Sequence, residues 1–126
     1  MGTLIFILSI TENTNWSNAN CCKEEECCLD CHECELEEIP RNGSTGMKLL
    51  NLRRNQITHL AKSEFGELNE LRELNLGFNP IEFVHPEAFK GLENLRTLDL
   101  LGLTAMAQWH LVNFSFVRSV DNFYFV

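Results

Sequence analysis

Two consecutive stretches decide the fold of this chain: MKLLNLRRNQITHLAKSEFGELNE at residues 47–70 and LRELNLGFNPIEFVHPEAFKGLEN at residues 71–94. Eight positions of the first stretch recur in the second, 24 residues later, with the same type of residue. They are Met47, Leu50, Leu52, Asn55, Ile57, Leu60, Phe65 and Leu68, which are matched by Leu71, Leu74, Leu76, Asn79, Ile81, Val84, Phe89 and Leu92. A third copy begins with Leu95, Leu98 and Leu100 and then loses the pattern. The chain therefore contains an internal repeat.

Leucines in each copy alternate with polar residues, as in the pairs Leu50/Leu52 and Leu74/Leu76. This alternation predicts short strands with one buried face. Amphipathic helices are the alternative, because leucines three and four residues apart also suit one face of a helix. Helical periodicity does not explain asparagines and phenylalanines that match one copy later, so strands are favoured.

The spacing L-x-x-L-x-L-x-x-N-x-I at a fixed period resembles the leucine-rich repeat family. The resemblance implies an α/β-type solenoid, a short right-handed coil whose parallel strands form a concave sheet. It also implies that Asn55 and Asn79 turn the chain as buried structural asparagines, bonded to backbone groups that the bend leaves unpaired. A repeat unit cannot bury its apolar face alone, so the ends of the stack need caps.

Six cysteines lie together between residues 21 and 34 and predict disulfides: Cys21, Cys22, Cys27, Cys28, Cys31 and Cys34. The segment ends in Leu36-x-x-Ile39-Pro40, which resembles the cysteine-rich N-terminal cap of extracellular leucine-rich-repeat proteins. Such a cap usually has four cysteines, and six allow 15 pairings, so the connectivity stays open. A metal site is the alternative, because Cys28-x-x-Cys31-x-x-Cys34 with His32 has ligand-like spacing.

The order of these features predicts four segments. Residues 1–20 contain an apolar run typical of a signal peptide and a polar leader, although no basic region precedes the run. Residues 21–46 form the cap, residues 47–94 hold two repeats, and residues 95–126 hold a degenerate third repeat and an apolar tail. Three N-x-S triplets, at Asn15, Asn42 and Asn113, are candidate glycosylation sites and agree with secretion.

The tail lacks Asp, Glu, Lys and Arg from Leu100 to Val117. Length alone would admit a membrane span, but Gln108, His110 and Asn113 are costly in lipid. We expect instead that its apolar side chains cover the open end of the stack. The other interpretation is that the chain is a fragment of a longer protein.

The net charge of −8 is local, because one basic and eight acidic residues lie between Asn20 and Pro40 while the repeats are nearly neutral. Nothing in this distribution indicates nucleic acid as a partner. The repeats place a mostly basic set on the concave side, which we predict to bind ligand: Lys48, Asn51, Arg53, Arg54, Arg72, Asn75, Phe78, Arg96 and Asp99. Arginine and exposed aromatic residues are favoured at protein interfaces, although ordinary solvated residues remain an alternative for this face.

None of the four histidines lies in a nucleophile or metalloenzyme motif, and no phosphate-binding glycine-rich loop is present. The sequence thus predicts no enzyme, no cofactor and no metal. The resemblance implies a recognition scaffold that is secreted or lies on the outer side of a membrane, with a protein ligand or co-receptor as partner. Two alternatives remain, an acidic polysaccharide bound on the basic concave face and a cysteine-rich metal-binding protein.

Overall fold

The alternating leucines form short parallel strands in the computed structural model, which describes residues 21–40, 46–103, 109–115 and 120–124. Six strands make the concave sheet: β1 (Lys23–Glu25), β2 (Cys28–Asp30), β3 (Leu49–Asn51), β5 (Glu73–Asn75), β7 (Thr97–Asp99) and β8 (Asn122–Tyr124). β1 and β2 form an antiparallel hairpin, and every later neighbour in the order β1-β2-β3-β5-β7-β8 is parallel. The predicted fold class, a leucine-rich-repeat solenoid with a parallel concave sheet, is confirmed.

One column of side chains runs through the core beneath this sheet. The register pairs Leu29 with Leu50, Leu50 with Leu74, Leu74 with Leu98, and Leu98 with Phe123. The four leucines are buried and Phe123 is partly buried against them. Successive coils thus place equivalent side chains in the same core. The spacing is 24 residues from Leu50 to Leu74 and from Leu74 to Leu98, but it differs at both ends of the column.

The opposite, convex side consists of two short strands and turns. β4 (His59–Leu60) and β6 (Phe83–Val84) pair in parallel, so that Leu60 and Val84 point inward beside each other. Phe65 and Phe89 follow in the turns and stack with ring centroids 6.0 Å apart. No α-helix occurs among the described residues, so the α component of an α/β solenoid is replaced there by these strands and turns.

Two buried asparagines hold the chain where it leaves the concave sheet. The Asn79 amide donates to the carbonyl oxygens of Leu52 and Leu76, both at 2.9 Å, and its oxygen accepts from the Ile57 N–H at 3.1 Å. The Asn55 amide likewise donates to Cys31 and Leu52. Each side chain therefore joins its own coil to the preceding one.

The tail completes one more coil. After a turn at residues 101–102 come a 3₁₀ helix (Trp109–Leu111) and strand β8, which pairs with β7. Phe114 stacks on Phe89 at 5.7 Å and so takes the place of the aromatic residue that the sequence pattern lacks at position 113. Both Phe114 and Phe123 come 25 residues after their counterparts Phe89 and Leu98, so a single inserted residue hides this coil from the 24-residue pattern.

Four of the six cysteines are bonded in the structure, as Cys21–Cys34 and Cys22–Cys31. Cys27 and Cys28 carry free thiols, so the prediction that all six are bonded is corrected to four. The reason is position: Cys31 and Cys34 point into the core, whereas Cys27 lies in the β1–β2 turn and Cys28 begins β2. Adjacent α-carbons, at about 3.8 Å, are also closer than an ordinary disulfide prefers.

This pairing bears on the metal hypothesis. Cys31 and Cys34, two of its three cysteine ligands, are oxidised and are not available as thiolates. No group of three or more potential metal ligands occurs among the described residues. Bonded cysteines are typical of proteins from oxidising compartments.

Several predicted features fall outside the described ranges. They include the leader at residues 1–20 with Asn15, the Asn42 triplet, and residues 104–108 and 116–117 of the possible membrane segment. In the part of the chain that the structure covers, no helix has the length and apolar character needed to cross a bilayer.

Candidate binding surface

A row of short polar side chains runs along the outward face of the concave sheet. Its members are Asp30, Asn51, Asn75 and Asp99, which the strand register places side by side. Each accepts a hydrogen bond from the backbone N–H two residues later, at 3.2, 3.1, 3.1 and 2.9 Å respectively. These bonds repeat one tight turn in four coils, because a short Asx oxygen can reach the backbone just ahead of it. The face is therefore rigid at the point where the strands end.

A second row lies just beyond these turns, where the backbone has positive φ. Its residues are Glu33 (φ 52°), Arg54 (57°), Phe78 (56°) and Gly102 (78°). Arg54 N–H donates to the Gly77 carbonyl at 2.9 Å, and Phe78 N–H donates to the Leu101 carbonyl at 2.8 Å. Left-handed backbone is costly for ordinary side chains, so the neighbouring coils hold these residues in place. We call Glu33, Arg54, Phe78 and Gly102 the lateral row.

Phe78 is the centre of the lateral row. Its side chain is 42% exposed, although its own coil packs on the core. The guanidinium carbons of Arg53 and Arg54 lie 4.6 and 4.7 Å from the centre of its ring. Contacts of this kind are attractive because the ring face carries partial negative charge. The sequence-predicted residues Arg53, Arg54 and Phe78 thus form one aromatic and cationic patch.

Arg53 is further fixed by an ion pair that spans two coils. Its Nη1 lies 3.1 Å from Asp99 Oδ2, and both side chains are partly buried. The side chain passes Gly77, where an added Cβ would come within 3.3 Å of Arg53 Nη1. Gly77 therefore leaves the space through which Arg53 reaches Asp99.

The other predicted residues lie at the opposite end of the strands or are already paired. Lys48, Arg72 and Arg96 precede β3, β5 and β7, and the carbonyl oxygens of Lys48 and Arg72 accept backbone bonds from the next coil. Arg96 forms an exposed ion pair with Asp121 at 3.2 Å. Asn51, Asn75 and Asp99 use their oxygens for the turns described above. The predicted set is thus split between a patch around Phe78 and a separate basic edge.

The predicted binding set leaves out three contributors to this surface. Glu33 approaches Arg54 with 3.9 Å between Oε1 and Nε, Gly102 supports the Phe78 ring, and Asp30 begins the row of Asx turns. The cap follows the repeat with an offset of 21 residues instead of 24, so its equivalence to the repeats is visible only after the Leu29–Leu50 register is known. The sequence contains one sign of this equivalence: Asp30 follows Leu29 in the cap as Asn51 follows Leu50 in the first repeat.

The pKa of the Asp30 carboxyl group on this face is lowered from its ordinary value. Partial desolvation raises the pKa, but hydrogen bonds from the His32 ring at 2.8 Å and from the His32 N–H outweigh it and lower the pKa. A carboxyl with a depressed pKa in the folded state stabilises the fold above its unfolded pKa of about 3.9. That contribution is lost as the pH falls through the folded-state pKa.

We therefore expect the stability difference between wild type and Asp30→Asn to be constant near neutral pH and to shrink below about pH 4. Urea unfolding at a series of pH values measures it. A difference that stays the same down to about pH 2 would show that the ionised form of Asp30 is not the stabilising one.

Gly102 is predicted to be intolerant of a side chain. An added Cβ would lie 2.6 Å from Cδ1 of Phe78, and φ is positive there. Gly102→Ala should lower the free energy of unfolding by about 1–3 kcal/mol and shift the ring resonances of Phe78 in an NMR spectrum. Gly46→Ala is the control, because its Cβ would meet nothing closer than 3.5 Å, and it should stay within about 0.5 kcal/mol of wild type. Equal effects of the two substitutions would contradict the proposed contact.

A groove of about 410 Å³ lies on the convex side, away from this surface. Its lining is acidic and aromatic: Glu37, Glu38, Ile39, Thr58, His59, Leu60, Ala61, Glu64 and Phe83. Phe83 is 45% exposed, almost the same fraction as Phe78, but no arginine in the described part of the chain stacks on it. The two phenylalanines thus form a matched pair on opposite sides of the solenoid.

Comparison with known proteins agrees with this architecture. A family model described as "Leucine rich repeat" matches residues 43–102, the stretch that contains β3 to β7. This stretch belongs to the leucine-rich repeat family. The match covers both complete repeats and the start of the third, whereas the sheet of the solenoid extends beyond it on both sides, to β1 and β8.

Several leucine-rich-repeat proteins are similar to part of this chain. Leucine-rich repeat-containing protein 3B of Homo sapiens is 48% identical over 73 residues, which are 57% of this chain and 28% of that protein. Leucine-rich repeat-containing protein 3 of Danio rerio is 44% identical over 73 residues, covering 57% of this chain and 27% of that protein. Leucine-rich repeat-containing G-protein coupled receptor 5 of Rattus norvegicus is 39% identical over 66 residues, or 52% and 7%. The chain thus spans less than a third of each of these relatives.

Among solved structures, the crystal structure of a TLR13–ssRNA13 complex matches with a TM-score of 0.61 and 29% sequence identity. The match covers 64% of this chain and 12% of the TLR13 chain. Leucine-rich repeats are scaffolds that place variable side chains on a fixed coil, and nothing in these relationships indicates catalysis.

Proposed function

We propose that this leucine-rich-repeat chain is an extracellular protein-binding module that uses the concave side around Arg53, Arg54 and Phe78. The observation that carries the proposal is the exposed Phe78 ring under two guanidinium groups. Aromatic and arginine side chains are the types that most often dominate binding energy at protein interfaces. Here the Asx turns and the Arg53–Asp99 pair hold them in place before binding, which reduces the entropy lost on association.

The size of the surface limits what it binds. A standard interface buries about 800 Å² on each partner, which is on the order of a tenth of the surface of a small protein. The patch around Phe78 spans only two or three coils, so we expect one modest protein epitope with its own acidic or amide groups facing Arg54. This chain then forms either the whole of a small binding site or part of a larger one.

An acidic polysaccharide is a less suitable partner for this face, because the arginines there already form ion pairs with carboxylates. Arg53, Arg54 and Arg96 each have a carboxylate partner at 3.1, 3.9 and 3.2 Å. A polyanion would have to displace these partners, and binding through the remaining charges would weaken steeply with added salt. A protein epitope that packs on Phe78 depends on apolar contact and is much less sensitive to salt.

Alanine substitutions of Phe78 and Phe83, which are similarly exposed on opposite sides of the solenoid, test which surface binds. The chain is immobilised and presented with a panel of purified extracellular domains, and each binder is then measured against Phe78→Ala and Phe83→Ala. Phe78→Ala should weaken binding at least about tenfold, whereas Phe83→Ala should leave it within about twofold. Binders that are lost equally with both substitutions, or with Phe83→Ala alone, would place the site on another surface and overturn the proposal.

The extracellular location is tested separately. The two disulfides favour an oxidising compartment, and Asn113 is an exposed residue with its N-x-S triplet at the surface. Expression with the native N-terminus in a eukaryotic secretory host should deliver the protein to the medium with glycan on Asn113. Retention in the cytosol with Cys21, Cys22, Cys31 and Cys34 open to alkylation would contradict this location.

A further inference from the structure

Cys27 and Cys28 form a pair of thiols that the fold does not use for a structural disulfide. Their Sγ atoms lie 3.3 Å apart, and both side chains are partly exposed. Each structural disulfide includes one buried cysteine, Cys34 or Cys31, whereas neither member of the thiol pair is buried. Two accessible thiols at contact distance are the arrangement from which a reversible disulfide forms.

The backbone between these thiols joins the cap to the first repeat. The Cys27 carbonyl oxygen accepts hydrogen bonds from the N–H groups of Lys48 at 2.7 Å and Leu49 at 3.3 Å. β2 then pairs with β3 from Cys28 and Leu49 onward. Any change in the orientation of the Cys27–Cys28 peptide therefore acts directly on the junction between β2 and β3.

We propose that Cys27 and Cys28 are a redox site that exchanges with small disulfides of the glutathione class, and that its oxidation loosens the junction between cap and repeats. Sulfur atoms in a disulfide are about 2.05 Å apart, so the two Sγ atoms must approach by more than 1 Å. The resulting eight-membered ring contains the Cys27–Cys28 peptide bond. Ring closure therefore reorients the carbonyl that Lys48 and Leu49 bond to.

The exchange takes place in two balanced steps. The Cys27 thiolate attacks one sulfur of the small disulfide, whose S–S bond breaks and releases one small thiol. The Cys28 thiolate then attacks the Cys27 sulfur, forming the protein S–S bond and releasing the second small thiol. The protein loses two S–H hydrogens and is oxidised, and the small disulfide is reduced to two thiols.

The surroundings make this exchange slow at neutral pH. The hydrogen bond with Cys27, burial and the negative charges of Glu25 and Glu26 raise the pKa of Cys28. Since the thiolate is the attacking species, ring closure should become faster as the pH rises.

The experiment equilibrates the folded protein in glutathione buffers of increasing oxidation and quenches it with an alkylating agent before nonreducing peptide mapping. We expect the peptide with Cys27 and Cys28 to lose two hydrogens, carry no glutathione and resist alkylation, and a mild thiol should reverse this. Amide hydrogen exchange should become about fivefold faster at Lys48 and Leu49 on oxidation and stay unchanged at Leu74, which is one coil further on.

Cys28→Ser is the matched variant. It should retain a glutathione mixed disulfide on Cys27 because no second thiol can close the ring. Its rate of amide hydrogen exchange at Lys48 should match that of the reduced wild type. Stable glutathione adducts on both thiols of the wild type, or scrambling with Cys21 or Cys22, would overturn the redox site. Ring closure without faster exchange at Lys48 and Leu49 would overturn its coupling to the junction.

Discussion

Replacement of Phe89 by alanine is expected to lower the free energy of unfolding by about 3–5 kcal/mol. Phe89 is fully buried and lies between Phe65 and Phe114 in the aromatic stack, at centroid distances of 6.0 and 5.7 Å. The substitution removes a large apolar side chain and leaves a cavity, and it also ends both ring contacts. Urea unfolding followed by circular dichroism measures the change.

Phe83→Ala is the control for this prediction, since it deletes the same atoms from a half-exposed position in the same coil. It should cost less than about 1 kcal/mol. A Phe89→Ala cost as small as that of Phe83→Ala would mean that the tail does not pack on Phe89 in solution. The convex core would then end at the second repeat.

Asn79→Ala is expected to cost about 2–4 kcal/mol, which is large for the loss of one polar side chain. The substitution leaves the Leu76 carbonyl oxygen and the Ile57 N–H without their partner inside the core, whereas the Leu52 carbonyl oxygen keeps its bond from the Asn55 amide. Each unsatisfied buried group costs about 1–3 kcal/mol, and partial relaxation of the turn reduces the sum. Denaturant unfolding at constant pH determines the value.

Asn94→Ala provides the comparison, because the Asn94 amide also donates to a carbonyl one coil back, that of Asn69 at 2.8 Å, but at an exposed site. Water replaces the lost partner there, so the expected cost is below about 1 kcal/mol. Similar costs at Asn79 and Asn94 would show that burial of the amide does not determine its contribution.

The repeat could be predicted from the sequence because the solenoid imposes the same environment at each coil. The leucines at positions 50, 74 and 98 recur at a fixed spacing since each must enter the same core column. The cap and the tail follow the same column at offsets of 21 and 25 residues, and these offsets depend on turns that the apolar pattern does not encode. The sequence therefore places Phe114 and Phe123 only in an apolar tail.

Only part of the candidate surface could be predicted from the sequence. The strand pattern places Arg53, Arg54 and Phe78 on or beside the concave sheet, but their arrangement depends on contacts between coils. Arg53 reaches Asp99 over Gly77, a pairing across 46 residues that long, flexible side chains leave open until the backbone is known. The cysteine pairing was open for the same reason, since spacing alone does not say which sulfurs face the core.

The lateral row restricts how this surface can change during evolution. Its four residues occupy left-handed backbone, which glycine, asparagine and aspartate tolerate best and which β-branched residues strongly disfavour. Valine, isoleucine and threonine are thus poor choices at positions 33, 54, 78 and 102, whatever partner is selected. The residues available for new specificity at this edge are set by the backbone first and by the ligand second.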